Sequence, residues 1–217
     1  MLKLINVCKS YPIHHGKAMR PVLKDINFTI NQGEKWGILG RNGAGKSTLI
    51  RIISGSDKPH SGLVRHDMSI SWPLAFGATF QGSLTGRDNT RLISRVYNVD
   101  FKKTLALVED FAELGAYLNE PVKSYSSGMA SRLAFAISMS IEFDCYLIDE
   151  GMSVGDHRFH QKCNMELFEK RADRAMIIVA HQTDLIRAHC DHAAVLENGH
   201  LTVCSTVDEA IAIYESL

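Results

Sequence analysis

Residues 35–55 read KWGILGRNGAGKSTLIRIISG. A short apolar run (35–40) ends in glycine, and a helical pattern (46–55) begins at a lysine. Such a run, bounded by a turn, reads as a buried strand. Between strand and helix stands GRNGAGKST (40–48), which matches G-x-x-x-x-G-K-[ST] in the context that gives that pattern meaning. Gly43 and Gly45 let backbone N–H groups turn inward on phosphate oxygens. Lys46 reaches terminal phosphates, Ser47 supplies a hydroxyl for Mg2+, and the helix start adds favourable partial charge. Gly40, Arg41, Asn42, Ala44 and Thr48 complete the loop. This stretch predicts a phosphate-loop nucleotide-binding core.

Two stretches further on fit that core. CYLIDE (145–150) is an apolar strand ending in two carboxylates. Beside a phosphate loop, an aspartate in that place holds Mg2+, which assigns Asp149. Glu150, next in line, is the candidate base for an attacking water. IIVAHQ (177–182) places His181 just after another buried strand, as a candidate to hydrogen-bond the γ-phosphate and orient the water.

The rest of the chain gives the organisation. VLKDINFTI (22–30) alternates as a half-buried strand does, LKLINVCKSY at the start reads as an edge strand, and 61–72 suggests two short strands. From about 86 to 140 the pattern is helical. Then a strand (143–149), a helix (156–171) and a strand (175–180) alternate. A hairpin follows around Asn198-Gly199 (192–203), and TVDEAIAIYESL reads as a capped helix. Alternating β and α at both ends implies a largely parallel sheet with helices on its faces, interrupted by a small α subdomain. The expected organisation is one domain, 1–217, with a helical subdomain at about 86–140.

Composition bounds the function. The 217 residues are 45% hydrophobic and 22% charged, with a net charge of +0. Neutral balance argues against a basic footprint for nucleic acid. No apolar run approaches the ~18 residues of a membrane span. Five cysteines (8, 145, 163, 190, 204) form no CxxC pair, which points to reduced thiols and a cytoplasmic compartment. The ten histidines include close pairs, but no spacing completes a tetrahedral metal set. They read as surface histidines.

One stretch is unexplained by a single nucleotide site. SYSSGMASRLAF (124–135) opens a helix with two serines and a glycine, a second place for an anion. A second phosphate-binding helix start in a chain with one phosphate loop makes sense if it serves nucleotide held by another copy. Here the chain resembles the nucleotide-binding subunits of ABC transporters. Phosphate loop, glutamine, signature, LIDE and histidine come in that family's order over nearly the whole chain. YSSGM (125–129) stands at the family signature; Ser126 and Gly128 keep its pattern, while Ser127 and Met129 depart from it. Gln81 in GATFQGSLTG matches the loop glutamine that senses Mg2+ and water at the border with the membrane subunit. Asp156 in SVGD matches the acid of the loop that crosses the dimer. Tyr11 in CKSYP matches the aromatic that stacks on adenine.

The resemblance implies an α/β fold: a phosphate-loop ABC ATPase core with a mainly parallel sheet, an antiparallel β subdomain and an inserted α-helical subdomain. It implies ATP and Mg2+, and a second copy facing the first head to tail. It also implies a polytopic permease, at the cytoplasmic face of a bacterial inner membrane. The variant signature, ISWPLAFGATFQGSLTGRDN (70–89) and LIDEGMSVGD (147–156) look closest to the ATPases that export capsular polysaccharide. The polymer would cross through the permease, touching this chain only indirectly. O-antigen and teichoic acid exporters, other ABC importers and lipid-extraction systems are the alternatives. Nucleic-acid ABC ATPases usually carry paired cassettes or long insertions, which are missing here, and a GTPase would need an absent Asn-Lys-x-Asp.

Overall fold

The computed structural model describes residues 1–13, 18–74, 80–149 and 157–217, with the side chain of residue 157 excepted. The chain divides into two compact units: Met1–Pro73, Phe143–Glu150 and Asp173–Leu217 in one, Leu74–Glu142 and Gly151–Ala172 in the other.

The first unit is built on a five-stranded sheet. Its strands are β3 (Lys35–Leu39), β5 (Cys145–Asp149), β6 (Ala175–Val179), β7 (His192–Glu197) and β8 (His200–Val203), in the order β5-β6-β3-β7-β8. The first four are parallel, and β8 returns antiparallel through the Asn198-Gly199 turn. A parallel strand covered on both faces needs an unbroken apolar run, which explains AMIIV in β6, where all five residues are buried. The register is decisive for function. Val179 pairs with both Ile38 and Asp149, so β3, β5 and β6 finish level at one edge. Ligands of open α/β sheets bind at that carboxyl edge. Gly40 and His181 follow immediately beyond it.

A three-stranded antiparallel sheet, β2-β1-β4, completes the unit, with β1 at Leu2–Ile13, β2 at Ala18–Ile30 and β4 at Ser61–His66. The expected edge strand at the start is therefore its central strand: β1 pairs with β2 on one side and β4 on the other. Leu2, Leu4, Val7, Ile26 and Phe28 pack with Trp36 and with Ile50 and Ile53 of α1 (Lys46–Ile53) in one buried cluster. The second short strand expected before residue 72 is a single bridge, Ile70 to Cys145. The Ser71 hydroxyl then takes the Leu147 N–H at 2.9 Å, a side chain replacing the next backbone partner. Helices α6 (Thr183–His189) and α7 (Val207–Ser216) follow β6 and β8. The Thr206 side chain caps α7 by accepting from the Glu209 N–H.

The second unit is helical: α2 (Gly86–Val96), α3 (Phe101–Ala112), α4 (Ser127–Met139) and α5 (His157–Asn164), the last continuing as a π-helical turn over Met165–Glu169. Phe111, Phe135 and Phe159 join α3, α4 and α5, with ring centroids 5.3, 5.6 and 6.1 Å apart. Truncating such a core aromatic costs about 3–5 kcal/mol. Helix α2 is built the other way. Its buried face is polar (Asn89, Thr90, Ser94), whereas Leu92 and Val96 are 47% and 66% exposed. Thr90 and Ser94 satisfy their hydroxyls on the helix itself, donating to the Gly86 and Thr90 carbonyls at 2.8 Å each.

Candidate nucleotide site

The start of α1 is set up for an anion by what it lacks. Helices α2, α3, α4 and α7 each receive a cap from a side chain (Thr85, Asp100, Ser126 and Thr206). At α1 the cap is Gly45, which makes no side-chain hydrogen bond, and no acidic residue stands in the first turn. The leading N–H groups of a helix have no partner within it, and a positive partial charge collects there. With no side chain of the helix taking them, they face the turn. Gly45 has a φ of +113°, a conformation that L side chains rarely adopt, so the loop geometry depends on glycine at this position.

Lys46 is buried and curls back over the loop. Its Nζ donates to the Gly40 carbonyl at 2.6 Å and to that of Arg41 at 3.4 Å. Both acceptors are neutral, so anionic phosphate oxygens compete for the ammonium with charge as well as geometry.

A cavity of about 1250 Å3 opens over this turn. Arg41 to Thr48 form its floor, and Asp149 reaches it from the end of β5. Tyr11, Pro12 and Ile13 of β1 line it, together with Arg20, Val22 and Lys24 of β2 and Glu197, Asn198 and Gly199 of the hairpin. The hairpin is fixed there by the Lys24 N–H, which donates to the Gly199 carbonyl at 2.8 Å. A Cβ on Gly199 would lie 2.7 Å from the Val22 carbonyl oxygen, so glycine permits the close approach of these two walls. The space is ample for a nucleoside triphosphate.

A match to the ABC transporter family model covers residues 23–153, more than half the chain. The chain belongs to the ABC transporter family. It is 56% identical over 214 residues to the ATP-binding protein BexA of Haemophilus influenzae, covering 99% of this chain and 98% of BexA. It is also 56% identical over 217 residues to the capsule polysaccharide export ATP-binding protein CtrD of Neisseria meningitidis serogroup B, covering all of both chains. In fold it matches the ATP-binding cassette MJ0796, solved as a post-hydrolysis dimer bound to ADP and phosphate. That match has a TM-score of 0.78 and 24% identity over 93% of this chain and 96% of that one.

Within this ABC cassette the expected residues fall into four groups. Tyr11, Arg41–Thr48 and Asp149 wall the cavity, and Gly40 sits at its entrance to the loop. His181 is exposed, two residues past the Val179 that pairs with Asp149, and is not among the described residues that wall the cavity. Gln81, Ser126, Ser127 and Gly128 belong to the helical unit. Glu150 and Asp156 lie outside the described residues. Ser126 is the N-cap of α4, and its Oγ accepts the Met129 N–H at 3.2 Å. The hydroxyl proton remains available to donate outward. A Cβ on Gly128 would meet only that Oγ, at 4.0 Å, among the described residues, so the chain's own packing does not call for glycine there.

The hard oxygens of Ser47 and Asp149 suit Mg2+, which is usually bound by one or two protein oxygens together with phosphates and water. Among the described residues no group of three or more His, Cys, Asp or Glu is gathered as a metal site. Some histidines serve packing: His192 stacks on Trp36 at 4.8 Å, and His60 Nδ1 accepts the Ser10 N–H at 3.0 Å. All five cysteines are free thiols. Burial pushes those of Cys145, Cys163 and Cys190 up to about 12, which keeps them protonated and unreactive.

Sequence reasoning missed Arg20, Lys24, Glu197 and Asn198 as cavity walls. The hairpin itself was visible in Asn198-Gly199, but its docking on β2 depends on contacts about 175 residues apart in sequence, for which no local pattern exists.

Proposed function

We propose that this chain is the ATP-hydrolysing subunit of a capsular polysaccharide exporter. It works at the cytoplasmic face of the inner membrane and drives a separate polytopic permease through which the polymer passes. The observation that carries the nucleotide reading is the glycine-capped start of α1, with the buried ammonium of Lys46 inside the turn. The substrate reading is supported by full-length 56% identity to CtrD, whose name states capsule polysaccharide export.

The chemistry follows from the residues. N–H groups of Gly43 to Thr48 receive the phosphates of ATP, and Lys46 exchanges its carbonyl partners for phosphate oxygens. Tyr11 supports the base. Ser47 and Asp149, joined by Gln81, hold Mg2+, which when bound offsets the charge developing on the transferred phosphoryl group. Glu150 accepts a proton from water, and His181 orients that water towards the γ-phosphorus. The bond from that phosphorus to the bridging oxygen breaks, giving ADP and inorganic phosphate.

Two copies face each other, each completing the other's site with Ser126, Ser127 and Gly128, while Asp156 crosses between them. The open space at Gly128 and the outward hydroxyl of Ser126 support this role. ATP binding closes the pair, and hydrolysis reopens it. The loop around Gln81 and helix α2 transmit that motion to the permease, for which the exposed Leu92 and Val96 on a helix with a polar inner face offer apolar surface.

The test is replacement of the gene by Lys46→Ala in the cell that makes this protein. Loss of surface capsule with polymer retained inside supports the proposal. Normal surface capsule contradicts it, and loss of a different surface polymer would move the chain to another exporter class.

A further inference from the structure

Residue Asp57 belongs to no motif, yet it meets Tyr11, the one aromatic ring among the described residues that wall the nucleotide cavity. It lies in the loop after α1. Its Oδ1 accepts from Lys9 Nζ at 2.6 Å and from the Lys58 N–H at 2.8 Å. Its Oδ2 accepts from the Tyr11 hydroxyl at 2.8 Å. Lys9 and Tyr11 are two apart on β1 and so share a face of the strand. Lys9 Nζ and the Arg51 guanidinium lie 5.2 and 6.0 Å from the Tyr11 ring centroid.

We propose that Asp57 is a positioning residue for nucleotide recognition: its carboxylate, anchored by Lys9, fixes the Tyr11 ring so that the ring is ready to receive the base. The inference rests on the reading of this cavity as the ATP site with Tyr11 beneath the base.

The plain structural alternative is that the Tyr11 bond merely ties the loop to the sheet. That task is already done by other groups. Lys9 Nζ also donates to the Lys58 carbonyl at 2.7 Å, the His60 N–H donates to the Cys8 carbonyl at 2.9 Å, and the Ser10 N–H donates to His60. The bond from Tyr11 is redundant for holding the loop and specific for orienting the ring. A phenol whose hydroxyl is bound by a fixed carboxylate has lost its rotational freedom before the ligand arrives, so less is lost on binding.

The geometry also relates the two ends of the ligand. Asp57 follows the carboxyl end of α1, whose N-terminus carries the phosphate loop, and the Asp57 N–H donates to the Arg51 carbonyl at 3.0 Å. One short helix thus separates the group that sets the ring from the groups that take the phosphates. The span between base and phosphate is held by α1 rather than by a flexible loop.

The test measures equilibrium binding of ATP and of inorganic tripolyphosphate, which has phosphates and no base, to the full chain with EDTA present. The variants are Asp57→Asn, Tyr11→Phe, the double variant and Tyr11→Ala. Asp57→Asn and Tyr11→Phe are each expected to weaken ATP about 2- to 10-fold, the effect of un-fixing one side chain, and to leave tripolyphosphate unchanged. The double variant should be no weaker than the weaker single, since both remove one bond. Tyr11→Phe keeps ring and carboxylate, so it carries the test even if Asp57→Asn folds poorly. Equal weakening of both ligands by Tyr11→Phe and Asp57→Asn would overturn the proposal, because a general structural role acts on both. So would normal ATP binding by those two variants with loss in Tyr11→Ala, which leaves Tyr11 beneath the base without help from Asp57. Normal ATP binding by Tyr11→Ala as well would remove the ring from the site altogether, while the phosphate-loop reading would stand.

Discussion

Asn89 clasps Gln81 by both of its backbone polar groups. Its Oδ1 accepts the Gln81 N–H at 3.0 Å, and its Nδ2 donates to the Gln81 carbonyl at 3.2 Å. The same Nδ2 reaches the Thr85 carbonyl at 2.9 Å, and Asn89 is 1% exposed. The loop that carries Gln81 is thus tied to α2, the helix that exposes Leu92 and Val96. Any shift of α2 carries the backbone of Gln81 with it. Asn89→Ala should therefore destabilise the fold by about 1–3 kcal/mol, the cost of leaving buried polar groups unpaired. It should also lower ATP hydrolysis more than ATP binding. Urea unfolding and a turnover assay check this; wild-type turnover in a destabilised variant would separate the loop from catalysis.

Lys46→Ala should remove tight ATP binding while the protein still unfolds cooperatively. The ammonium's bonds to the Gly40 and Arg41 carbonyls tie it to its own loop at the wall of an open cavity, where water can take its place. Gly45→Ala acts differently. It forces a residue with a Cβ into a φ of +113° and places that atom 3.0 Å from the Val22 carbonyl oxygen. Both binding and thermal stability should fall in that variant, whereas Lys46→Ala should lose binding alone.

Acid should loosen the fold through particular carboxylates. Hydrogen bonds from Lys9, then Tyr11, hold Asp57 down from the ordinary 3.8 to about 2. Ser69, through its N–H and then its hydroxyl, lowers Asp144, and Lys162 lowers Glu113. A carboxylate whose folded pKa is depressed stabilises the fold fully above its unfolded pKa and loses that contribution as pH falls through the folded value. Stability should hold down to about pH 4 and then decline towards pH 2. In Asp57→Asn the decline should be shallower. Urea midpoints across this range decide it; an identical slope would show that Asp57 does not contribute.

Ser126→Ala with Ser127→Ala should weaken ATP-driven dimerisation more than ATP binding by one chain. Loss of the Ser126 cap costs α4 about 1 kcal/mol, a modest effect beside the loss of two donors to phosphate. Sedimentation with and without ATP measures the dimer. Equal loss of binding and dimerisation would place these serines in their own chain's site rather than the partner's.

The legible parts of this protein were those whose meaning is contiguous. The phosphate loop, the strand ending at Asp149 and the Asn198-Gly199 turn each carry their chemistry within about ten residues. The central place of β1 was not legible, because it depends on β4 returning to its far side after α1. Helix α6 lacked a side-chain cap at Gln182, so its seven residues gave no start signal. The pairing of Asp57 with Tyr11 spans 46 positions and follows no motif. The polar inner face of α2 runs against the pattern by which helices are found, since Leu92 and Val96 face outward.

The most direct test of the central claim is copurification from membranes of the chain carrying Glu150→Gln, with ATP present. The account predicts that a small polytopic permease comes with it in equal amount, lost when Lys46→Ala is added. Recovery of ribosomes or nucleic acid with no membrane protein would contradict the account, leaving an ABC ATPase with work other than export.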